Sequence, residues 1–199
     1  MKVTPAKLAS MIMIFLLMLG TGLALSDSDP FWAGVGVWAI LIAFAPVVVS
    51  RTSNQVLPWW FLAPISLPFL VGLLAISPTF QPFDMASLGY WVLTSISLFA
   101  LCLVTLLFIE RHSGMRLSLP LGILTTFLLY ESVVALQGPI GYYCDLWLGT
   151  NFVPNNTILM VYIVVATISG LIMATVVNRV LRWTPFDRLL DQVVGEVGN

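Results

Sequence analysis

One acidic residue lies inside a long apolar stretch of this chain, and its side chain is the one best placed to do chemistry. Glu131 falls in a predicted membrane span over residues 118–137, six residues before Gln137. At 1.5 Å of rise per residue, its carboxyl is expected about 9 Å below the outer end of that helix. An ionised carboxylate at such a depth costs a few kcal/mol. The position therefore favours a carboxyl that carries a proton or binds a cation.

Hydroxyl groups on neighbouring predicted spans fall at the same depth and are the expected partners of this carboxyl. Thr94 and Ser97 lie level with it on the fourth span, and Tyr162 lies level with it on the sixth. Tyr130 is adjacent in sequence but points about 100° away around the helix. None of these side chains is basic, so a buried salt bridge is not favoured. Two interpretations stay open, a proton or cation site and a neutral Glu131 that ties two helices together.

Two further acids lie in predicted outer loops near the same end of the bundle. Asp145 follows Gly138, Pro139 and a Tyr-Tyr pair, and Asp84 precedes the fourth span. Together with Glu131 they predict an outward-facing acidic mouth. Carboxylate and carbonyl oxygens suit hard cations, but these acids have no fixed spacing and are a weak signal.

The motifs of the common enzymes do not occur in this chain. The single histidine, His112, lies beside Arg111 in a predicted cytoplasmic turn, where a solvated role is expected. There is no zinc-protease, nucleophile-elbow or phosphate-loop motif. An intramembrane enzyme is therefore the least favoured class, and we expect no cofactor, no metal and no nucleic-acid partner.

The composition predicts the kind of structural element that holds these residues in place. The chain has 199 residues, of which 59% are hydrophobic and only 9% charged, whereas ordinary soluble domains carry about a quarter charged residues. A membrane-spanning helix needs roughly 20 mostly apolar residues, so this length allows about six. The continuous apolar runs do not alternate as the strands of a membrane barrel do. The sequence predicts an all-α integral membrane protein.

Six spans are predicted, within one transmembrane domain over residues 1–183. Their ranges are about 8–25, 31–49, 59–76, 90–109, 118–137 and 157–177. Basic residues near span ends favour the cytoplasmic side. With a cytoplasmic N-terminus, the inner segments hold all eight basic residues and the outer loops hold none. This distribution predicts that both termini are cytoplasmic and that the protein is a multi-pass protein of the cell membrane.

The first span has a second interpretation. A basic start, an apolar run and small residues over 22–24 also describe a cleavable signal peptide. Cleavage there would leave five spans with unchanged sides. The apolar run is long enough to cross the membrane, so we expect the helix to be retained.

Small residues and prolines predict how the helices pack. Ala166, Gly170 and Ala174 recur every four residues and line one face of the sixth span. Such faces allow close helix contact in lipid, either within one subunit or at a homodimer seam. Pro64 and Pro68 each remove a backbone donor, so the third helix is expected to kink or break.

The segment 184–199 is predicted to be a cytoplasmic amphipathic tail. An apolar stripe from Phe186 to Val194 faces away from Asp187, Arg188 and Asp191, which predicts a short helix on the inner membrane surface. Docking to a partner is the alternative.

Two hypotheses for the function follow. The first is a transporter or channel-like protein that uses an outward-facing polar layer around Glu131 for a small solute, a cation or protons. The second is a non-catalytic accessory, assembly or sensor protein in which Glu131 is structural. The lipid bilayer surrounds the protein in both, and a second copy or another membrane protein is left open as a partner.

Overall fold

The fold is a bundle of six helices in a computed structural model of the chain. The described residues are 5–26, 29–50, 57, 59–73, 85–113, 117–149 and 156–183, and no strand occurs among them. The helices are α1 (Pro5–Ser26), α2 (Pro30–Ser50), α3 (Trp59–Leu73), α4 (Met85–Ser113), α5 (Leu119–Leu148) and α6 (Asn156–Trp183). Each of the six predicted spans overlaps one of these helices.

Five of the helices are long and apolar enough to cross a membrane, namely α1, α2, α4, α5 and α6. The apolar part of α3, Trp59–Val71, is shorter. The outer faces of the bundle are apolar as well: Phe15 on α1, Leu128 on α5 and Leu171 on α6 are 56–60% exposed. An apolar exterior of this kind is stable in lipid and not in water. The prediction of an all-helical, multi-pass membrane protein is confirmed at this level.

Helix α4 is the centre of the bundle. It packs against α3, α5 and α6, whereas α1 packs against α2 and α3. Within its membrane span 56% of the residues are buried, against 22–28% in the other four long helices. Phe99, Leu98 and Cys102, near the middle of α4, are almost fully buried. Helices α5 and α6 therefore both pack against a largely buried α4.

Contacts along α1 and α3 show that these two helices run in the same direction. The Ser66 hydroxyl of α3 lies 3.3 Å from the Met13 sulfur of α1. Further along both helices, a Cβ on Gly20 would lie 2.6 Å from Cβ of Phe69. Phe69 also makes an edge-on ring contact with Trp32, two residues into α2. The C-terminal end of α3 therefore lies on the same side as the α1–α2 turn.

The fifth helix continues 11 residues past its predicted end at Gln137, and the predicted loop over 138–156 is wrong for residues 138–148. The Gly-Pro pair at 138–139 lies inside the helix. Gly138 is buried against Leu159 of α6, and Gly141 is buried too. Their lack of side chains allows α6 to come close enough to hold this turn. The helix ends at Gly149, whose φ of 66° is left-handed, a conformation that glycine adopts without cost.

The third helix continues through both of its prolines, so the predicted break does not occur among the described residues. The carbonyl of Ile65, three residues before Pro68, accepts a hydrogen bond from Ser97 of α4 at 2.9 Å. A hydroxyl from a neighbouring helix is one of the groups that make prolines tolerable in membrane helices. The predicted tail over 184–199 lies outside the described residues.

Candidate functional site

The longer fifth helix changes the depth of Glu131. The residue lies 12 positions after the start of α5 and 17 before its end, which is about 18 Å and 25 Å along the axis. Thr167, its partner on α6, is likewise 11 residues from one end of that helix and 16 from the other. Glu131 therefore lies near the middle of α5, rather than six residues from the end of its helix.

The two oxygens of the Glu131 carboxyl differ in their surroundings. Oε2 accepts a hydrogen bond from the Thr167 hydroxyl at 3.1 Å. Oε1 is buried and has no hydrogen-bond partner. The chain contains no Lys or Arg between Arg116 and Arg179, so neither α5 nor the neighbouring part of α6 supplies a cation. The carboxyl is therefore held on one side by a neutral hydroxyl and is unpaired on the other.

Tyr130 is the best-anchored side chain of the region. It is fully buried, and its hydroxyl donates to the Ala166 carbonyl at 2.9 Å. Its ring packs on the bare backbone of Gly170, and the Phe99 ring lies 5.7 Å away, centroid to centroid. Ser95 lies within side-chain hydrogen-bonding range of the same hydroxyl. Tyr130 thus joins α4, α5 and α6 immediately beside Glu131.

The small-residue stripe of α6 is buried at each of its three positions. Ala166 offers its carbonyl to Tyr130, and Gly170 offers the space for the Tyr130 ring. A Cβ on Gly170 would also come within 3.4 Å of Glu131 Oε1. Ala166 and Gly170 of this stripe therefore receive α5 within one subunit.

Among the described residues, two more buried side-chain polar atoms lack hydrogen-bond partners. They are the hydroxyl of Tyr162 on α6 and Oε1 of Gln137 on α5. Tyr162 is 7% exposed, with its ring edge-on to Trp91 of α4 at 6.0 Å. The two helices that meet at the seam between α5 and α6 therefore carry three unpaired polar atoms in the described part of the chain.

The predicted hydroxyl partners on α4 are used elsewhere. Thr94 bonds the carbonyl of Trp91 at 2.9 Å in its own helix, and Ser97 bonds Ile65 of α3. The structure gives neither of them a hydrogen bond to Glu131. The hydroxyl that does reach it, Thr167, was missed. It lies five positions beyond the predicted partner Tyr162 on α6, further from the start of that helix than the predicted layer.

The outer acids do not join Glu131. Asp145 is half-buried in the last turn of α5, 14 residues from Glu131, a separation of about 21 Å along the helix. Tyr142, Tyr143 and Trp147, on the same last turns, are 50–76% exposed. Asp84 lies outside the described residues. Within the described part of the chain, no group of three or more His, Cys, Asp or Glu side chains is arranged to hold a metal ion.

The fold and the seam define a class, a multi-pass helical membrane protein with a carboxyl in the middle of its bundle. Comparison with known proteins adds nothing to this class, since no protein family, no curated protein and no solved structure matches the chain.

Proposed function

We propose that the protein crosses the cell membrane six times, with both termini and the tail over 184–199 on the cytoplasmic side. The shared direction of α1 and α3 supports this topology, because it carries the chain to the outer side before α4 begins. The eight basic residues support it too, since all of them then lie inside. The 15 residues of α3 reach about 22 Å along the axis, less than the roughly 30 Å hydrocarbon core. The predicted span over 59–76 is longer, and its residues 74–76 lie outside the described part of the chain.

Within this topology we propose a transporter or channel-like protein for a small solute, a cation or protons, with Glu131 at the centre of the site. The observation that carries the proposal is the buried Oε1 of Glu131, which has no hydrogen-bond partner and no Lys or Arg nearby in sequence. An unpaired carboxyl oxygen in a bilayer is costly, and ionisable groups at that depth are characteristic of ion and proton pathways.

A specific observation supports the alternative of an accessory or assembly protein. Thr167 donates to Glu131, and Tyr130 donates to Ala166, so two adjacent residues of α5 tie that helix to α6. In this alternative the Glu131 carboxyl is a neutral interhelical group, and a second copy or another membrane protein is the partner.

The deciding experiment measures two properties of the purified protein and of Glu131→Gln. One is thermal stability from about pH 4 to 9 with and without a panel of cations, since a ligand that binds only the folded state raises stability. The other is ion and proton flux in liposomes. The glutamine keeps most of the hydrogen bonding but cannot ionise.

If the protein is a transporter, we expect ion or proton flux with the wild type. We also expect its thermal stability to depend on pH or on a cation, and Glu131→Gln to lose that dependence while it stays folded. Flat and parallel stability curves, together with an absence of flux in both proteins, would favour the accessory protein.

A further inference from the structure

The seam between α5 and α6 is covered by α4 on one side only. On that side the ring of Tyr130 on α5 lies against Phe99, and the ring of Tyr162 on α6 lies edge-on to Trp91. On the opposite side the residues that flank the seam are exposed. We call them the open edge, and they are Leu128 and Ala135 on α5 and Val164 and Leu171 on α6. The two leucines and the valine are 56–58% exposed.

Glu131 and Thr167 lie beside this open edge. Both side chains are partly exposed, whereas the residues that precede them, Tyr130 and Ala166, are fully buried. On each helix the two residues of the open edge lie three positions before and four positions after the polar residue, which puts them about 60° and 40° to the same side of it. The hydrogen bond of 3.1 Å that joins Thr167 to Glu131 therefore lies where the bundle meets the lipid.

The carboxyl of Glu131 is poorly satisfied at this place. A carboxylate can accept about four hydrogen bonds, and the described residues give it one, from Thr167 to Oε2, while Oε1 has no partner. Glu131 lies 12 residues from one end of α5 and 17 from the other, so neither bulk water nor headgroups reach it. Ionisable groups at such depths almost always pair with another group. The position of Glu131 therefore calls for a partner that arrives from the lipid side.

A second copy of this chain cannot supply an opposite charge at this depth. No Lys or Arg occurs over residues 8–50, 52–110 or 117–178, which include the middle of every helix. The partner must also satisfy its own backbone within the bilayer, and in the hydrocarbon region a helix does so by itself. Charge complementarity and depth together define the partner as a membrane helix with a basic residue near its middle.

We propose that the open edge binds a transmembrane helix of another protein, and that a Lys or Arg in the middle of that helix pairs with Glu131. The inference goes beyond the proposed transport and does not depend on it, since it concerns what covers the seam. The apolar stem of the basic side chain would lie along Leu128 and Leu171, as such stems do on apolar surfaces.

The local chemistry fits a cation at this position. The terminal torsion of a glutamate side chain is broad, so the Glu131 carboxyl can turn an oxygen toward the open edge. Ser132, the next residue, is exposed, and its hydroxyl donates to the Leu128 carbonyl of its own helix at 2.8 Å. The lone pairs of that hydroxyl still accept hydrogen bonds. An arriving ammonium or guanidinium therefore meets a carboxylate with neutral acceptors beside it.

The test measures binding of designed peptides to the full-length protein in liposomes by energy transfer between two fluorophores. The first peptide is a polyleucine helix of about 20 residues with one lysine at its centre. Two reference peptides with the same ends have leucine or glutamate at that position. The protein is the wild type, Glu131→Gln, which keeps the shape and removes the charge, or Leu171→Trp, which fills the open edge. Leu41→Trp is the matched control, because Leu41 is 64% exposed on α2.

We expect the lysine peptide to bind the wild type at least about tenfold more tightly than it binds Glu131→Gln, since removing one member of a desolvated charge pair weakens binding by at least that much. Leu171→Trp should weaken binding as well, whereas Leu41→Trp should bind like the wild type. The leucine and glutamate peptides should bind weakly to all four proteins. Circular dichroism should show that the variants are folded.

Equal binding of the lysine peptide to the wild type and to Glu131→Gln would overturn the proposal, and so would equal binding of the lysine and glutamate peptides. Loss of binding in Glu131→Gln but not in Leu171→Trp would overturn the open edge as the place of contact. A disulfide-linked dimer of Ser132→Cys that needs Glu131, without peptide binding, would show that a second copy covers the edge instead. Ion or proton flux that depends on Glu131, without peptide binding, would remove this inference and leave the transport function standing.

Discussion

At the scale of single residues, the Tyr130 hydroxyl is the group that most directly joins α5 to α6. It donates to a backbone carbonyl that belongs to the other helix, at 2.9 Å, from a fully buried ring. Tyr130→Phe keeps the ring on Gly170 and Phe99 and removes only this bond. Interhelical hydrogen bonds in membranes average about 0.6 kcal/mol, so we expect a destabilisation of about 0.5–1.5 kcal/mol, measured by unfolding in mixed detergent micelles. A variant as stable as the wild type would show that the bond contributes nothing net, and Tyr143→Phe, half exposed at the end of α5, is the control.

At the scale of helices, the contact between α5 and α6 depends on the absence of a side chain at Gly170. A Cβ there would overlap the Tyr130 ring, and that ring cannot move away because its hydroxyl is bonded to Ala166. We expect Gly170→Ala to cost about 1–3 kcal/mol through overpacking. Gly34→Ala, where a Cβ meets nothing within 4 Å, should leave stability unchanged or raise it slightly, because alanine is the better helix former. Thermal unfolding of both variants makes the comparison, and equal melting temperatures would contradict this account of the interface.

The length of α5 is a second feature at the level of helices. It shows which parts of the fold sequence patterns can predict and which they cannot. Apolar runs were enough to place every helix, because lipid allows few other structures. The same patterns could not show that α5 continues through Gly138 and Pro139, since that depends on Leu159 of α6 packing against Gly138. The predicted end at Gln137 put Glu131 six residues from the end of its helix, and the search for partners then stopped at Tyr162 instead of Thr167. The intramembrane acid itself was visible in the sequence, whereas its partner depended on the register of two helices.

Single cysteines placed along residues 140–148 test the helical assignment of this segment. Labelling by a water-soluble maleimide should rise and fall with a helical period, low at Gly141, which is buried, and high at Tyr142 and Trp147, which are 61% and 76% exposed. The native Cys144, which is partly exposed, is replaced by serine in all other variants, so the fully buried Cys102 gives the background. A loop over these residues would be labelled without that period.

At the scale of the whole molecule, the topology decides which end of each helix faces the cytoplasm, and two exposed positions can establish it. His112 lies at the end of α4 beside Arg111, and Trp147 lies in the last turn of α5. These helix ends face opposite sides of the membrane if α4 and α5 each cross it once. We expect a cysteine at position 112 to be labelled only from the cytoplasmic side and one at position 147 only from outside, in intact cells and inverted vesicles. The direction follows from the basic residues, since Arg111 and Arg116 flank the first position and no Lys or Arg lies near the second. Labelling of both positions from one side would contradict the six-span topology, and labelling with the sides reversed would place the Gln137 end of the seam in the cytoplasm.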